Sequence, residues 1–230
     1  MAVFALIGGK SSLHQDRFEL EEKILKILNW PNPKILFIGL AREDCTTLFQ
    51  RFRNWADSLS YSVRLLNDAA APLNKELLDW ANVFYFCGGS AHRLVNQIKN
   101  SPLEKMLREQ SLLDKLFCGI SAGAILFAVA GMGDRFRYVD GYRSYGYKME
   151  EGLGFLPITV CPHYDHDGLD CYNDAVIQTD LDGIALEDDT ACLFINGRMT
   201  VCKIDRRKSV YQFDRLQHHR MVPLYEDVIT

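Results

Sequence analysis

The stretch Gly119-Ile120-Ser121-Ala122-Gly123 sets a serine in a G-x-S-x-G pattern, between a β-rich run and a helix-compatible one. Lys115-Leu116-Phe117-Cys118 leads in, and Ala122-Gly123-Ala124-Ile125-Leu126-Phe127 leads out. In that setting the serine occupies a sharp strand-to-helix turn and projects its hydroxyl at the carboxyl edge of a sheet. Gly119 and Gly123 suit a strained backbone and a close helix–strand approach, both of which disfavour a Cβ. The matching chemistry is nucleophilic attack on a carbonyl, with the helix N-terminus directing N–H groups toward the developing negative charge. The plainer reading of Ser121 is a helix cap in a small-residue turn.

Such a nucleophile needs an oxyanion hole, a base and a group that orients the base. Gly88-Gly89 ends the apolar run VFYFC, so its N–H groups fall at the same sheet edge, and the N–H of Ala122 follows the nucleophile. A serine hydroxyl is weak until a base within hydrogen-bonding reach takes its proton. Of the six histidines, His163 is preferred, because it follows the apolar strand Ile158–Cys161 and Pro162 and so also leaves the sheet at a strand end. The orienting carboxylate is sought among Glu187, Asp188 and Asp189, which follow the run Gly183–Leu186, with Asp134 and Asp140 as rivals. The cluster His163-Tyr164-Asp165-His166-Asp167 also offers nitrogen and oxygen ligands for a metal. A short loop is not expected to converge them all on one ion, and no H-E-x-x-H pattern supplies the rest, so no metal or cofactor is expected.

The elements that carry these residues alternate in kind. Ala2–Ile7, Ile35–Ile38, Tyr61–Leu66, Val83–Cys87 and Leu116–Ile120 read as strands. Between them lie helical faces, the clearest being Leu48, Phe49, Phe52, Trp55, Ala56 and Leu59. Leu73–Trp80, Ala91–Lys99, a segment opening at Pro102, and Ala122–Val129 are further helices. This βαβα rhythm, with strands apolar throughout, implies an α/β, doubly wound, mostly parallel sheet with helices on both faces. Gly131–Gly154 reads as irregular, followed by the strand Ile158–Cys161 and a helix around Tyr172–Gln178. A C-terminal hairpin pairs Ala191–Ile195 with Met199–Ile204 across Asn196-Gly197.

Composition sets outer limits. A net charge of −4 without a basic block gives no sign of a nucleic-acid groove or an anionic membrane surface. No apolar run approaches the roughly 20 residues of a membrane-spanning helix. The apolar start MAVFALIGGK lacks a basic region and reads as a buried strand, not a signal peptide. Seven cysteines without a C-x-x-C pair suggest reduced thiols in a cytoplasmic protein, acting as core fillers. With no repeat or linker, residues 1–230 read as one domain.

The assembled segments resemble the peptidase family of aspartyl dipeptidase (peptidase E) and cyanophycinase. The matching pieces are Phe84–Ser90, Gly119–Ala124, Pro162-His163-Tyr164, Ile184–Ala191 and the closing hairpin, spanning roughly residues 84 to 213. The resemblance implies a flavodoxin-like sheet related to class I glutamine amidotransferases, with serine in place of their cysteine. It also implies a small-peptide substrate and a Ser–His–acid mechanism in which Ser121 is nucleophile and His163 base. The late family acid falls on Asp188, with Glu187 one residue away, and an alternative acid maps near Asp134 or Asp140. In one respect the chain departs from the family. Binding an N-terminal aspartate needs cationic groups after the histidine, yet Tyr164–Asp182 has no Lys or Arg and carries Asp165, Asp167, Asp170, Asp174, Asp180 and Asp182. Like charges repel, so strict Asp-X specificity is not expected unless Arg135, Arg137 or Arg143 compensates.

Two other functions fit parts of the pattern. An α/β-hydrolase-type esterase orders its triad Ser, acid, His, which His218 or His219 after Asp188 would supply. A non-catalytic ligand-binding relative would keep the scaffold without turnover.

Overall fold

The computed structural model describes residues 2–12, 14, 17–72, 74–133, 146–217 and 220–225. The first half follows the expected alternation. Strands β1 (Val3–Ile7), β2 (Lys34–Ile38), β3 (Ser62–Leu66), β4 (Val83–Phe86) and β5 (Leu116–Ile120) are connected through helices α1 (Glu19–Ile27), α2 (Thr46–Ser58), α3 (Asn74–Trp80), α4 (Ala91–Ile98) and α5 (Pro102–Gln110). Every residue of β1 and β4 is buried, as strands covered on both faces must be. Ser90 caps α4 by accepting the N–H of Arg93 at 3.2 Å, and Pro102 opens α5.

The second half contains helix α6 (Ala122–Phe127), strands β6 (Ala130–Gly133), β7 (Lys148–Glu151) and β8 (Ile158–Cys161), helix α7 (Cys171–Ile177), and strands β9 (Asp182–Leu186), β10 (Thr190–Ile195), β11 (Arg198–Lys203), β12 (Val210–Asp214) and β13 (Arg220–Leu224). The hairpin β10–β11 closes at Asn196-Gly197 with Ile195 opposite Arg198, and both turn residues have positive φ.

The α/β architecture is as expected, but the strands divide between two mixed sheets. The first has the order β11-β10-β1-β5-β4-β2-β3, and the second β13-β12-β9-β8-β6-β7. In the first, β1, β5, β4, β2 and β3 run parallel, and β10 joins β1 antiparallel. The order β3-β2-β4-β5 is the doubly wound arrangement. The described ends of the segment read as irregular are in fact paired strands: β6 lies parallel to β8 and antiparallel to β7. Its middle, with Asp134, Arg135, Arg137, Asp140 and Arg143, lies outside the described residues.

All six residues of α6 are buried, and the helix packs on strands of both sheets. One apolar cluster joins Leu6 and Phe117 of the first sheet to Val160, Ile184 and Val210 of the second. A smaller cluster, including Tyr172, Val176 and Phe213, fixes α7 to the second sheet. Six cysteines are buried there or beside these strands, as core fillers would be, while Cys171 is exposed. Among the described residues, no helix is long and apolar enough to cross a membrane.

Candidate active site

Ser121 stands between β5 and α6 with φ 55° and ψ −110°, a backbone conformation that costs a non-glycine residue on the order of 1–3 kcal/mol. The turn is tight because helix and strand nearly touch. A Cβ on Gly119 would overlap the backbone of Gly123, and one on Gly123 would overlap the carbonyl of Phe86. The Ser121 N–H donates to the Ile7 carbonyl at 3.0 Å, which ties the turn to β1. Its side chain makes no capping hydrogen bond, so the helix-cap reading fails. Instead Ser121 Oγ lies 2.9 Å from His163 Nε2.

His163 leaves the end of β8 after Pro162 with φ 56°, and the N–H of Tyr164 holds this turn to the Leu186 carbonyl at 3.0 Å. His163 Nδ1 is 2.7 Å from Asp188 Oδ1. A carboxylate only accepts, which assigns the proton to Nδ1 and leaves the Nε2 lone pair for the serine hydroxyl. Asp188 belongs to the three-residue joint between β9 of one sheet and β10 of the other. Its side chain is only 5% exposed. Burial pushes its carboxyl pKa up, but hydrogen bonding and charge from His163, then His166, outweigh burial and hold it below the usual value.

Glu187 faces elsewhere: its carboxylate accepts the Ser209 N–H at 2.9 Å and the Tyr211 hydroxyl at 3.3 Å. Asp189 Oδ1 accepts the Ser11 N–H at 3.2 Å, and its own N–H donates to the Gly9 carbonyl. Of the three adjacent acids, only Asp188 meets the histidine. Asp134 and Asp140, and also His218 and His219, lie outside the described residues.

Four participants escaped the sequence reading of this constellation. Gly9, just after β1, is packed so closely against it that a Cβ would overlap both Asp188 Oδ1 and His163 Nδ1. His166 Nε2 lies 2.9 Å from Asp188 Oδ2, the oxygen His163 does not use. The loop therefore brings both its histidines to one carboxylate that lies outside the loop. Asp165 Oδ1 accepts the Asp188 N–H at 2.9 Å and pairs with Lys208 through its other oxygen. Arg42 Nε donates to the Gly88 carbonyl at 2.9 Å, and a trans peptide then turns the Gly89 N–H away from Arg42. Only His166 and Asp165 carried a signal, as part of the polar cluster after β8; the others act through non-local contacts.

Gly88 lies beside Ser121, with room for a Cβ at 3.4 Å from the serine's own. Gly89 and Ala122 border the same cleft as Ser121, His163 and His166, and Ala122, in the first turn of α6, has no intrahelical acceptor for its N–H. Ile125, Met132, Tyr147, Pro162 and Leu169 supply most of the remaining wall. The cleft encloses about 520 Å³ including its open mouth. Among the described residues lining it there is no Lys or Arg. His163, His166 and Asp188 also have nitrogen and oxygen atoms within 4.8 Å of one another, so these three could hold a metal. A cation there would have to displace the hydrogen bonds that both imidazoles make to the carboxylate.

The model of peptidase family S51 matches residues 3–202. The chain is 29% identical to the uncharacterized peptidase YgaJ of Bacillus subtilis (strain 168), over 86% of this chain and 84% of that one. Its fold is similar to that of a peptidase from an acI-B1 actinobacterium, at TM-score 0.73 and 23% identity, over 98% of this chain and 95% of that one. It is also similar to a putative peptidase E protein from Listeria monocytogenes EGD-e, at TM-score 0.66 and 16% identity, over 89% and 100% of the two chains.

Proposed function

Because the chain belongs to peptidase family S51, the peptidase E family, and is a peptidase, we propose that it is a serine peptidase that cleaves small peptides through Ser121, His163 and Asp188 by way of an acyl-enzyme. The observation that carries this reading is the continuous hydrogen-bonded series from Ser121 Oγ to His163 Nε2 at 2.9 Å and from His163 Nδ1 to Asp188 Oδ1 at 2.7 Å. In this mechanism Ser121 attacks the scissile carbonyl while His163 accepts its proton at Nε2. Asp188 keeps the Nδ1 proton in place and stabilises the imidazolium as it forms. The N–H groups of Gly89 and Ala122, with the Gly88 backbone positioned by Arg42, receive the oxyanion. His163 then returns its proton to the leaving amine, and a water activated by the same base releases the product.

The cleft favours a small, largely uncharged residue on the acyl side. Its described wall sets apolar side chains beside Ser121, His163 and His166 and holds no Lys or Arg, so a P1 carboxylate would meet no described Lys or Arg there. Strict Asp-X specificity is therefore not part of this reading.

The test begins with a fluorophosphonate probe, which should label the folded protein once. Ser121→Ala should lose that label and about 10⁶-fold in turnover while keeping its far-UV spectrum. Unchanged labelling of Ser121→Ala would remove the nucleophile. A His218→Ala/His219→Ala double variant that loses turnover while His163→Ala keeps it would support the esterase order instead. A dipeptide library with varied P1 residue, read by release of free amine, should rank small apolar P1 residues above Asp. The opposite ranking would overturn the specificity.

A further inference from the structure

We propose that His166 is a positioning residue for the hydrolytic site, a second histidine that holds the orienting carboxylate from the side opposite the base. This rests on the reading of Ser121, His163 and Asp188 as the catalytic set and adds a member that such a set does not require.

The geometry divides Asp188 between two imidazoles. Oδ1 faces His163 Nδ1 at 2.7 Å, and Oδ2 faces His166 Nε2 at 2.9 Å. Both contacts are needed to fix a carboxylate plane, because a single hydrogen bond leaves it free to turn about its Cβ–Cγ bond. The backbone of Asp188 is also held, through its N–H to Asp165 Oδ1. Removal of His166 would leave Oδ2 of a side chain only 5% exposed without a described side-chain donor. The carboxylate would then turn to find one, and Oδ1 would follow.

The loop is built for this pairing. His163 adopts positive φ, and the N–H of His166 returns to the His163 carbonyl at 2.8 Å, closing a turn that brings the two rings to the same side. Their centroids are 4.8 Å apart with a 34° tilt. A core role does not explain His166, whose side chain is 46% exposed and whose ring contact is with the base itself. Because the carboxylate only accepts, His166 donates through Nε2, and a glutamine amide reaching the same oxygen can replace it.

The experiment compares His166→Leu with His166→Gln on a chromogenic dipeptide turned over by the wild type. His166→Leu should lower kcat about 10²-fold with KM within about twofold, the signature of a misplaced catalytic group. His166→Gln should recover most of that loss. In proton NMR the downfield resonance of the His163 Nδ1–H bound to Asp188 should broaden or vanish in His166→Leu and persist in His166→Gln. Wild-type kcat in His166→Leu would overturn the proposal. So would a rise in KM alone, which would make His166 a substrate contact, or equal losses in both variants with unchanged Tm. If the wild type fails to react with a fluorophosphonate, the serine-peptidase reading falls, yet the NMR comparison still decides whether His166 holds Asp188.

Discussion

Asp188 meets two segments at once: Gly9 after β1 covers it, and the turn after β8 gives it two imidazoles and, through Asp165, an acceptor for its N–H. Its neighbour Glu187 has the same charge but a separate task, bonding Ser209 and Tyr211. The two acids should therefore part under mutation. Asp188→Asn permits the wrong His163 tautomer and is expected to cost about 10⁴-fold in kcat. Glu187→Gln should leave kcat within a few-fold and lower stability by about 1 kcal/mol, through weaker bonds to Ser209 and Tyr211. Steady-state kinetics and urea denaturation on both variants check this pair. The depressed Asp188 pKa adds a pH dependence of known sign. Folded below its unfolded value, the group stabilises the protein above about pH 3.9, and that contribution disappears as pH falls through the folded pKa. Urea midpoints between pH 5 and 3 should fall more steeply for the wild type than for Asp188→Asn. Equal slopes would mean that Asp188 does not titrate differently in the two states.

The turns at the ends of β1, β4, β5, β8 and β9 supply the site, and their tolerances differ in kind from those of the strands. Gly9 is the sharpest case. A Cβ there has no room beside Asp188 Oδ1 and His163 Nδ1, so Gly9→Ala should push the histidine–aspartate pair apart while β1 keeps its pairing with β5 and β10. A displacement near 1 Å is expected to lower kcat about 10²-fold with little change in Tm. Activity close to wild type in Gly9→Ala would show that the pair relaxes around the methyl group. No local pattern announces this role, because Gly9 meets partners more than 150 positions away in the chain. By contrast, Ser121 with its two glycines was legible in sequence, since strand, turn and helix are contiguous. His163 was legible from its strand, and Asp188 only through the family resemblance, for three adjacent acids look alike until the joint is folded. His166 was visible as part of a polar cluster but not as a partner of Asp188. The apolar strands β4 and β5 and the Asn196-Gly197 turn were equally plain. Strands β6 and β7, AGMG and KMEE, carry no β-rich alternation. Pairing with β8 and with each other makes them strands, which is why the second sheet did not emerge from periodicity.

At the scale of the whole molecule, the site straddles two sheets: Ser121 follows β5 of the first, His163 follows β8 of the second, and Asp188 lies in the joint between them. The proposed mechanism then requires the sheets to keep their relative placement to within a hydrogen bond. The apolar cluster through α6 supplies that constraint, since it includes buried residues of both sheets without a break. Coupling of this kind predicts one unfolding transition rather than two. All three tryptophans, Trp30, Trp55 and Trp80, precede residue 81, so tryptophan fluorescence reports the first half of the chain. Ile184 lies in β9 of the second sheet, 2% exposed and part of the shared cluster. Ile184→Ala should cost about 2–5 kcal/mol through the lost transfer energy and the cavity it leaves. If the sheets unfold together, the urea midpoint of tryptophan fluorescence will fall in step with that of activity, although no tryptophan belongs to the altered sheet. A fluorescence midpoint that stays at the wild-type value while activity is lost at lower urea would show instead that the second sheet opens alone. The site would then be dismantled by separation of His163 and Asp188 from a Ser121 still held in its turn.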